Sequence, residues 1–232
     1  MDLCFCILSH GKPLLTLRCV ENLHKLGCDS IIVLDNGSSS EDISLLQNGI
    51  AGMAELHMSS TNLGITVGRN KLGELARSAA ADRLVFLDND QFPNDFAISA
   101  YRKKADGVVL GAEAWVMNDD FKPVKPVKNT GDVFSYVGCG GMCIDMEVWT
   151  KLGGFDPQFS PYYFEDPDFC FRCLDNNIEL EVLPPHAVFH EAHSTLSMKK
   201  DRMVAFLSNY RKLKRKWDGR GDILQRGVAK WE

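Results

Sequence analysis

The segment Arg83-Leu84-Val85-Phe86-Leu87-Asp88-Asn89-Asp90-Gln91-Phe92-Pro93 constrains the chain more than any other. An unbroken apolar run closed by turn residues reads as a strand buried on both faces, the kind found inside a mostly parallel sheet. Open α/β sheets bind ligands beyond the carboxyl ends of their strands, which is where Asp88 and Asp90 stand. One intervening residue on extended backbone turns both carboxylates to the same side. Like charges held that close need a cation, and oxygen ligands suit Mg²⁺ or Mn²⁺. A plain turn after a strand accounts for the same residues without any metal, because Asp and Asn are common in turns.

Three strand–helix units precede this segment. Residues 3–8 form an apolar strand, and Pro13 opens a helix in which Leu14, Leu17, Val20, Leu23 and Leu26 recur at helical spacing. Residues 30–34 form a second strand, ending in Asp35; Ser40 or a neighbouring serine caps the next helix, so Asp35 stays free to bond a base or ribose. A third strand near residues 55–58 leads through Thr61-Asn62-Leu63-Gly64 into a helix over about residues 66–80. Arg69 and Asn70 lie in its first turns, at the end where anions gather. Repeated βα units make a parallel sheet the economical fold.

Beyond Pro93 a helix to residue 104 and a strand over residues 107–116 continue the alternation, and residues 118–130 break it with an irregular basic loop, Lys122-Pro123-Val124-Lys125-Pro126. The adjacent Gly140 and Gly141 imply close backbone approach to a ligand or another strand. A short helix over residues 145–152 closes at Gly153-Gly154. In Tyr163-Phe164-Glu165-Asp166-Pro167-Asp168, ordinary helix-start chemistry explains Asp168 but leaves Glu165 and Asp166 unexplained. After a strand over residues 178–183 come His186, His190 and His193, surface residues or, beside an acidic metal site, nitrogen ligands.

Composition narrows the function classes. A chain of 232 residues accommodates one α/β domain, expected over residues 1–197, with a basic helix and tail over 198–232. That helix presents either a solvated charged face or a contact for an anionic membrane surface. The net charge of −5 argues against a general nucleic-acid binder. No apolar stretch approaches the roughly 20 residues that span a bilayer, and the start lacks the basic region of a signal peptide, so a cytoplasmic location is expected. The eight cysteines show no disulfide framework and read as reduced core residues; Cys139/Cys143 and Cys170/Cys173 lack the paired spacing of a zinc site.

In order, Ile7-Leu8-Ser9-His10, Val33-Leu34-Asp35-Asn36-Gly37-Ser38, Asn62-Leu63-Gly64 with Gly68-Arg69-Asn70, Phe86-Leu87-Asp88-Asn89-Asp90, Gly153-Gly154-Phe155-Asp156, Glu165-Asp166-Pro167-Asp168 with Arg172, and Val188-Phe189-His190 resemble the family 2 glycosyltransferases of the GT-A fold over nearly the whole chain. The resemblance implies a nucleotide-sugar donor (UDP-, GDP- or dTDP-linked), a Mn²⁺ or Mg²⁺ cofactor, and inversion at the anomeric carbon. It implies that Ser9, Asp35 and Asp88 meet the nucleoside, with Asn62, Arg69 and Asn70 nearby, and that Asp90 holds the metal with His190 or His193. Asp166 becomes the first choice for general base and Glu165 the second, while Gly140-Gly141 and the Pro-rich loop flank the sugar and a saccharide, lipid-linked or protein acceptor. His10 departs from the asparagine often found after the first strand, so no role is assigned to it.

Two carboxylate clusters suit single displacement: a cation on the departing diphosphate stabilises the transition state more than the ground state, and a separate carboxylate takes the proton of the attacking hydroxyl. A sugar nucleotidyltransferase would carry a glycine-rich basic loop after the first strand, where this chain has Ser9-His10-Gly11-Lys12-Pro13. A non-catalytic nucleotide-sugar binding protein would have no use for Glu165 and Asp166.

Overall fold

A computed structural model describes residues 2–191 and 200–231. In chain order it contains β1 (Leu3–Ser9), α1 (Pro13–Lys25), β2 (Ile31–Asn36), α2 (Ser40–Gly49), β3 (Glu55–Ser59), α3 (Gly64–Ser78), β4 (Arg83–Asp88), β5 (Gln91–Pro93), α4 (Asp95–Lys103), β6 (Val108–Gly111), β7 (Ala114–Met117), β8 (Pro123–Pro126), β9 (Val133–Phe134), β10 (Tyr136–Val137), β11 (Met142–Asp145), α5 (Met146–Leu152), α6 (Glu165–Asp175), β12 (Glu179–Val182), β13 (Val188–His190), α7 (Lys200–Lys216) and β14 (Gly227–Val228). The central sheet runs β12-β6-β11-β4-β1-β2-β3. All its neighbouring pairs are parallel except those of β11, which is reversed against both β4 and β6. This is the mostly parallel α/β sheet expected from the βα units.

Alternation along β1 shows why its sequence is apolar throughout. Cys4 and Cys6 pack with Phe86, Trp149 and Phe155 on one face, whereas Phe5 and Ile7 pack with Val20, Leu46 and Tyr101 on the other. Both faces are covered, so no position is free to be polar. Helix ends follow local chemistry: Pro13 lies in the first turn of α1, Ser39 Oγ caps α2 by accepting from Asp42 N (3.1 Å), and Asn94 Oδ1 caps α4 by accepting from Ala97 N (3.0 Å). Gly153, at φ 71°, ends α5 in the left-handed region.

Three expectations are corrected. The strand expected over residues 107–116 is two, β6 and β7, broken at Ala112-Glu113. The basic loop is partly regular, because β8 pairs antiparallel with β7 at the edge of a three-stranded sheet, where prolines cost no ladder bond. Asp168 caps nothing: Phe164 occupies the cap position of α6, and the buried Asp168 accepts from Arg172 Nε (2.9 Å) and Trp217 Nε1 (3.0 Å), tying α6 to the end of α7. Leu213, Trp217 and Ala229 belong to the same core as β4, and β14 pairs with β9.

At the end of the sheet remote from Asp88, Asp145 accepts from Lys104 Nζ (2.8 Å), Arg83 Nε (2.8 Å) and Gly107 N (2.7 Å). Burial pushes its carboxyl up, but the bonds from Lys104, Gly107 and Arg83 outweigh it and hold the group below its ordinary 3.8. Replacing Asp145 by Ala takes the carboxylate from buried Lys104 and leaves Arg83 with Asp106, and is expected to cost about 3–5 kcal/mol in urea denaturation. A group lowered in the folded state contributes stability above its ordinary value and loses it as pH falls through the folded-state value, so the gap between wild type and variant should close in acid.

Candidate active site

The strand order places β1 and β4 side by side, with β2 leaving in one direction and β11 in the other. Such a switch point opens a crevice beyond the strand ends, and β4 delivers Asp88 there. Arg69, from the first turns of α3, reaches it under cover: Nη2 donates to Asp88 Oδ1 (2.6 Å), and Nη1 lies against the Cys139 sulfur and 3.8 Å from Glu165 Oε1. Burial by itself would weaken the charge on Arg69, but Cys139, Asp88, Glu165 and Asp166 around it raise its proton affinity, so it stays cationic. Arg69 Nε and Glu165 Oε2 are buried without a hydrogen-bond partner among the described residues. Unsatisfied buried polar atoms are costly, and in a crevice they are available to a ligand.

A two-stranded ladder completes the acidic group. In β5–β13, His190 pairs with Gln91, and Glu191 N donates to Asp90 O (2.9 Å). This sets His190 Nε2 3.3 Å from Asp90 Oδ1 and its Nδ1 3.6 Å from Glu113 Oε1. The facing carboxylates of Asp90 and Glu113 push His190 up to about 10. Asp88, Asp90 and His190 each offer a ligand atom within 4.8 Å of the others. Two carboxylates and one imidazole fit Mn²⁺ or Mg²⁺ chemistry. His193 lies outside the described residues.

A cavity of about 260 Å³ joins these groups to the second acidic cluster; Arg69, Asp88, Gly140, Glu165, Asp166 and His190 line it. Burial and then the neighbouring Glu165 push Asp166 up to about 8, while burial raises Glu165 against the pull of Arg69. Gly140 lies close against the acidic group: a Cβ there would stand 2.7 Å from Gln91 Nε2 and 2.9 Å from Asp88 Oδ2, so either side chain would have to move. Gly141, at φ 78°, donates to Phe86 O (2.6 Å) and leads into β11.

The other residues picked from the sequence lie at the ends of β1 and β2 and in or just before the first turns of α3. Ser9 Oγ bonds Thr16 Oγ1 (2.8 Å), and Asp35 Oδ2 accepts from Ser38 N (3.0 Å) in the turn after β2. Asn62 Oδ1 accepts from Gly64 N (2.8 Å), and Asn70 brackets Phe155 through both ends of its amide. Sequence reading missed Gln91, whose Oε1 accepts from Asp88 N (3.0 Å), as well as Glu113 and Cys139. Nothing local marks them, because their roles arise from pairing between distant strands.

The turn before α6 is held in a strained form. Tyr163 and Phe164 have φ 76° and 72°, values that non-glycine residues rarely adopt, at about 1–3 kcal/mol each. Buried Asn209, on α7, compensates by donating from Nδ2 to the carbonyls of Phe159 (2.6 Å), Tyr162 (2.9 Å) and Tyr163 (3.3 Å). Pro161 O accepts from Ile65 N (2.7 Å), occupying a free donor at the start of α3. Asn209→Asp removes those donors and should destabilise the chain by about 1–3 kcal/mol in a denaturant titration.

The fold is that of the GT-A glycosyltransferases, an α/β sheet with a crevice at its switch point. The chain is similar in structure to GalNAc-T7, solved with UDP, GalNAc and Mn²⁺, at TM-score 0.74 and 16% identity over 94% of this chain and 48% of that one. It is similar to S. aureus TarS at TM-score 0.60 and 15% identity, covering 84% of this chain and 37% of that one. It thus spans about half the GalNAc-T7 chain or less of each. No protein-family model matches the chain, and no curated protein matches it by sequence.

Proposed function

We propose that the chain is an inverting, metal-dependent glycosyltransferase that moves a sugar from a nucleotide-sugar donor to an acceptor hydroxyl, in polysaccharide or glycoconjugate synthesis. The observation that carries this reading is the meeting, around one cavity, of Asp88 and His190 from a three-ligand cation site and of a separate carboxylate pair at the start of α6, Glu165 buried and Asp166 half-buried. GalNAc-T7, of the same fold, has been solved with UDP and Mn²⁺, which supports a nucleotide donor and a divalent ion here.

Asp88, Asp90 and His190 would hold Mn²⁺ or Mg²⁺, which when bound neutralises charge on a departing diphosphate. Asp35 and Asp88 receive the nucleoside; Ser9, Asn62 and Asn70 fix the loops around it, and Arg69 adds a positive charge that burial keeps from being screened. Asp166 accepts the proton of the acceptor hydroxyl as it attacks from the side opposite the leaving group, and Arg69 and Glu165 set its basicity. Asp166 is the better base of the pair because Glu165 Oε1 is engaged by Arg69 and the Cys139 thiol.

Eight cysteines, all free and buried, support a reducing cytoplasmic setting. No described helix is long and apolar enough to cross a membrane. The basic face of α7, with exposed Met203, Val204 and Leu207, supports peripheral contact with the inner membrane face.

Donor binding is expected to raise Tm with one of UDP-, GDP- or dTDP-sugars in the presence of Mn²⁺ and not with chelator. Asp90→Ala should abolish that metal-dependent shift; an unchanged shift rejects the ion site. Asp166→Asn should keep donor affinity and lower transfer by about 10²–10⁴-fold. Because the base must be ionised, wild-type kcat/KM should climb with pH and level off above about 8.

A further inference from the structure

The cavity has an aromatic side that the transfer chemistry leaves unused. Trp115, Tyr162, Tyr163 and Phe206 line it and remain part-exposed, beside Asp166. Their rings stand at steep angles to one another: Tyr162 and Tyr163 are 5.0 Å apart at 88°, and Tyr163 and Phe206 are 5.5 Å apart at 75°. Tyr163 and the next residue, Phe164, have positive φ, and Asn209 holds the carbonyls of both Tyr162 and Tyr163. Backbone strain kept at a cavity rim, with a buried side chain spent on holding it, marks these rings as a ligand surface.

The polar part of the same cavity is acidic. Asp88, Glu113, Glu165 and Asp166 line it, against Arg69 and His190, and Arg69 is already bonded to Asp88. A donor diphosphate would arrive with a divalent cation; an acceptor brings none. An anionic acceptor would therefore stand against the Glu165–Asp166 pair with only Arg69, already bonded to Asp88, to offset it, and an acyl chain would bury that pair without hydrogen bonds. A sugar ring satisfies both sides: its C–H face lies on aromatic rings, and its hydroxyl rim donates to carboxylates.

On the reading that Asp166 is the base of a transfer reaction, we propose that the acceptor is a neutral saccharide whose ring stacks in the subsite formed by Trp115, Tyr162, Tyr163 and Phe206. Asn209 is the positioning residue of that subsite.

The test offers the enzyme, with Mn²⁺ and the donor that gives the largest Tm shift, an equimolar mixture of neutral disaccharides, a polyol phosphate and a long-chain alkanol, with products resolved by mass. Neutral sugars should be glycosylated at least about tenfold faster than the other two, the scale of one lost stacking contact. Tyr162→Ala should raise the acceptor KM about tenfold, with Tyr162→Phe close to wild type and the donor Kd unchanged by calorimetry. Trp115→Ala supplies an independent variant. Preference for the polyol phosphate or the alkanol, or wild-type acceptor KM in both alanine variants, overturns the proposal while leaving donor binding intact. Absence of donor binding instead overturns the transfer reading on which it rests.

Discussion

A single buried guanidinium holds the centre of this molecule together. Arg69 is 3% exposed, yet it reaches a residue at the end of β4, a thiol in the loop before β11 and a carboxylate at the start of α6. Without a cation among them, Asp88, Glu165 and Asp166 would repel one another in a poorly solvated space, and the α6 turn would have little reason to approach the sheet. The arginine comes from α3, whose own start is closed by Pro161 O of that turn. Helix, turn and sheet therefore fix one another, and the two acidic clusters are separated by a side chain that contacts both.

Much of this architecture is written in the sequence because local chemistry decides it. The apolar runs of β1, β2 and β4 admit only a sheet covered on both faces, and Pro13, Ser39, Asn94 and Gly153 mark helix ends by their own side chains or backbone angles. Glu165 and Asp166 stand out because helix-start chemistry does not use them up, and Asp88 and Asp90 because their spacing at the carboxyl end of a buried strand puts two like charges on one side. Asp168 misleads for the opposite reason: its position fits a cap, but a tryptophan and a lysine from the far end of the chain claim it. Glu113, Gln91 and Cys139 were illegible, since no nearby spacing reveals which strand will lie beside which. The reversal of β11 is of this kind, and the loop that leads into it sets Gly140 against Asp88.

The C-terminal helix shows how composition can hide a second role. Its many cations drew attention to its solvent face, whereas Asn209, Leu213 and Trp217 on the other side are buried. Asn209 supplies donors to three carbonyls of the strained turn, so the helix contributes to the cavity without lining it by charge.

The β5–β13 ladder couples two parts of the chain far apart in sequence. Asp90 and His190 become neighbours only after α4 to α6 and β6 to β12 have been threaded between them. An ion held by both would act as a clasp on that long excursion, narrowing the unfolded ensemble much as a crosslink does, with a gain that grows only slowly with the length enclosed.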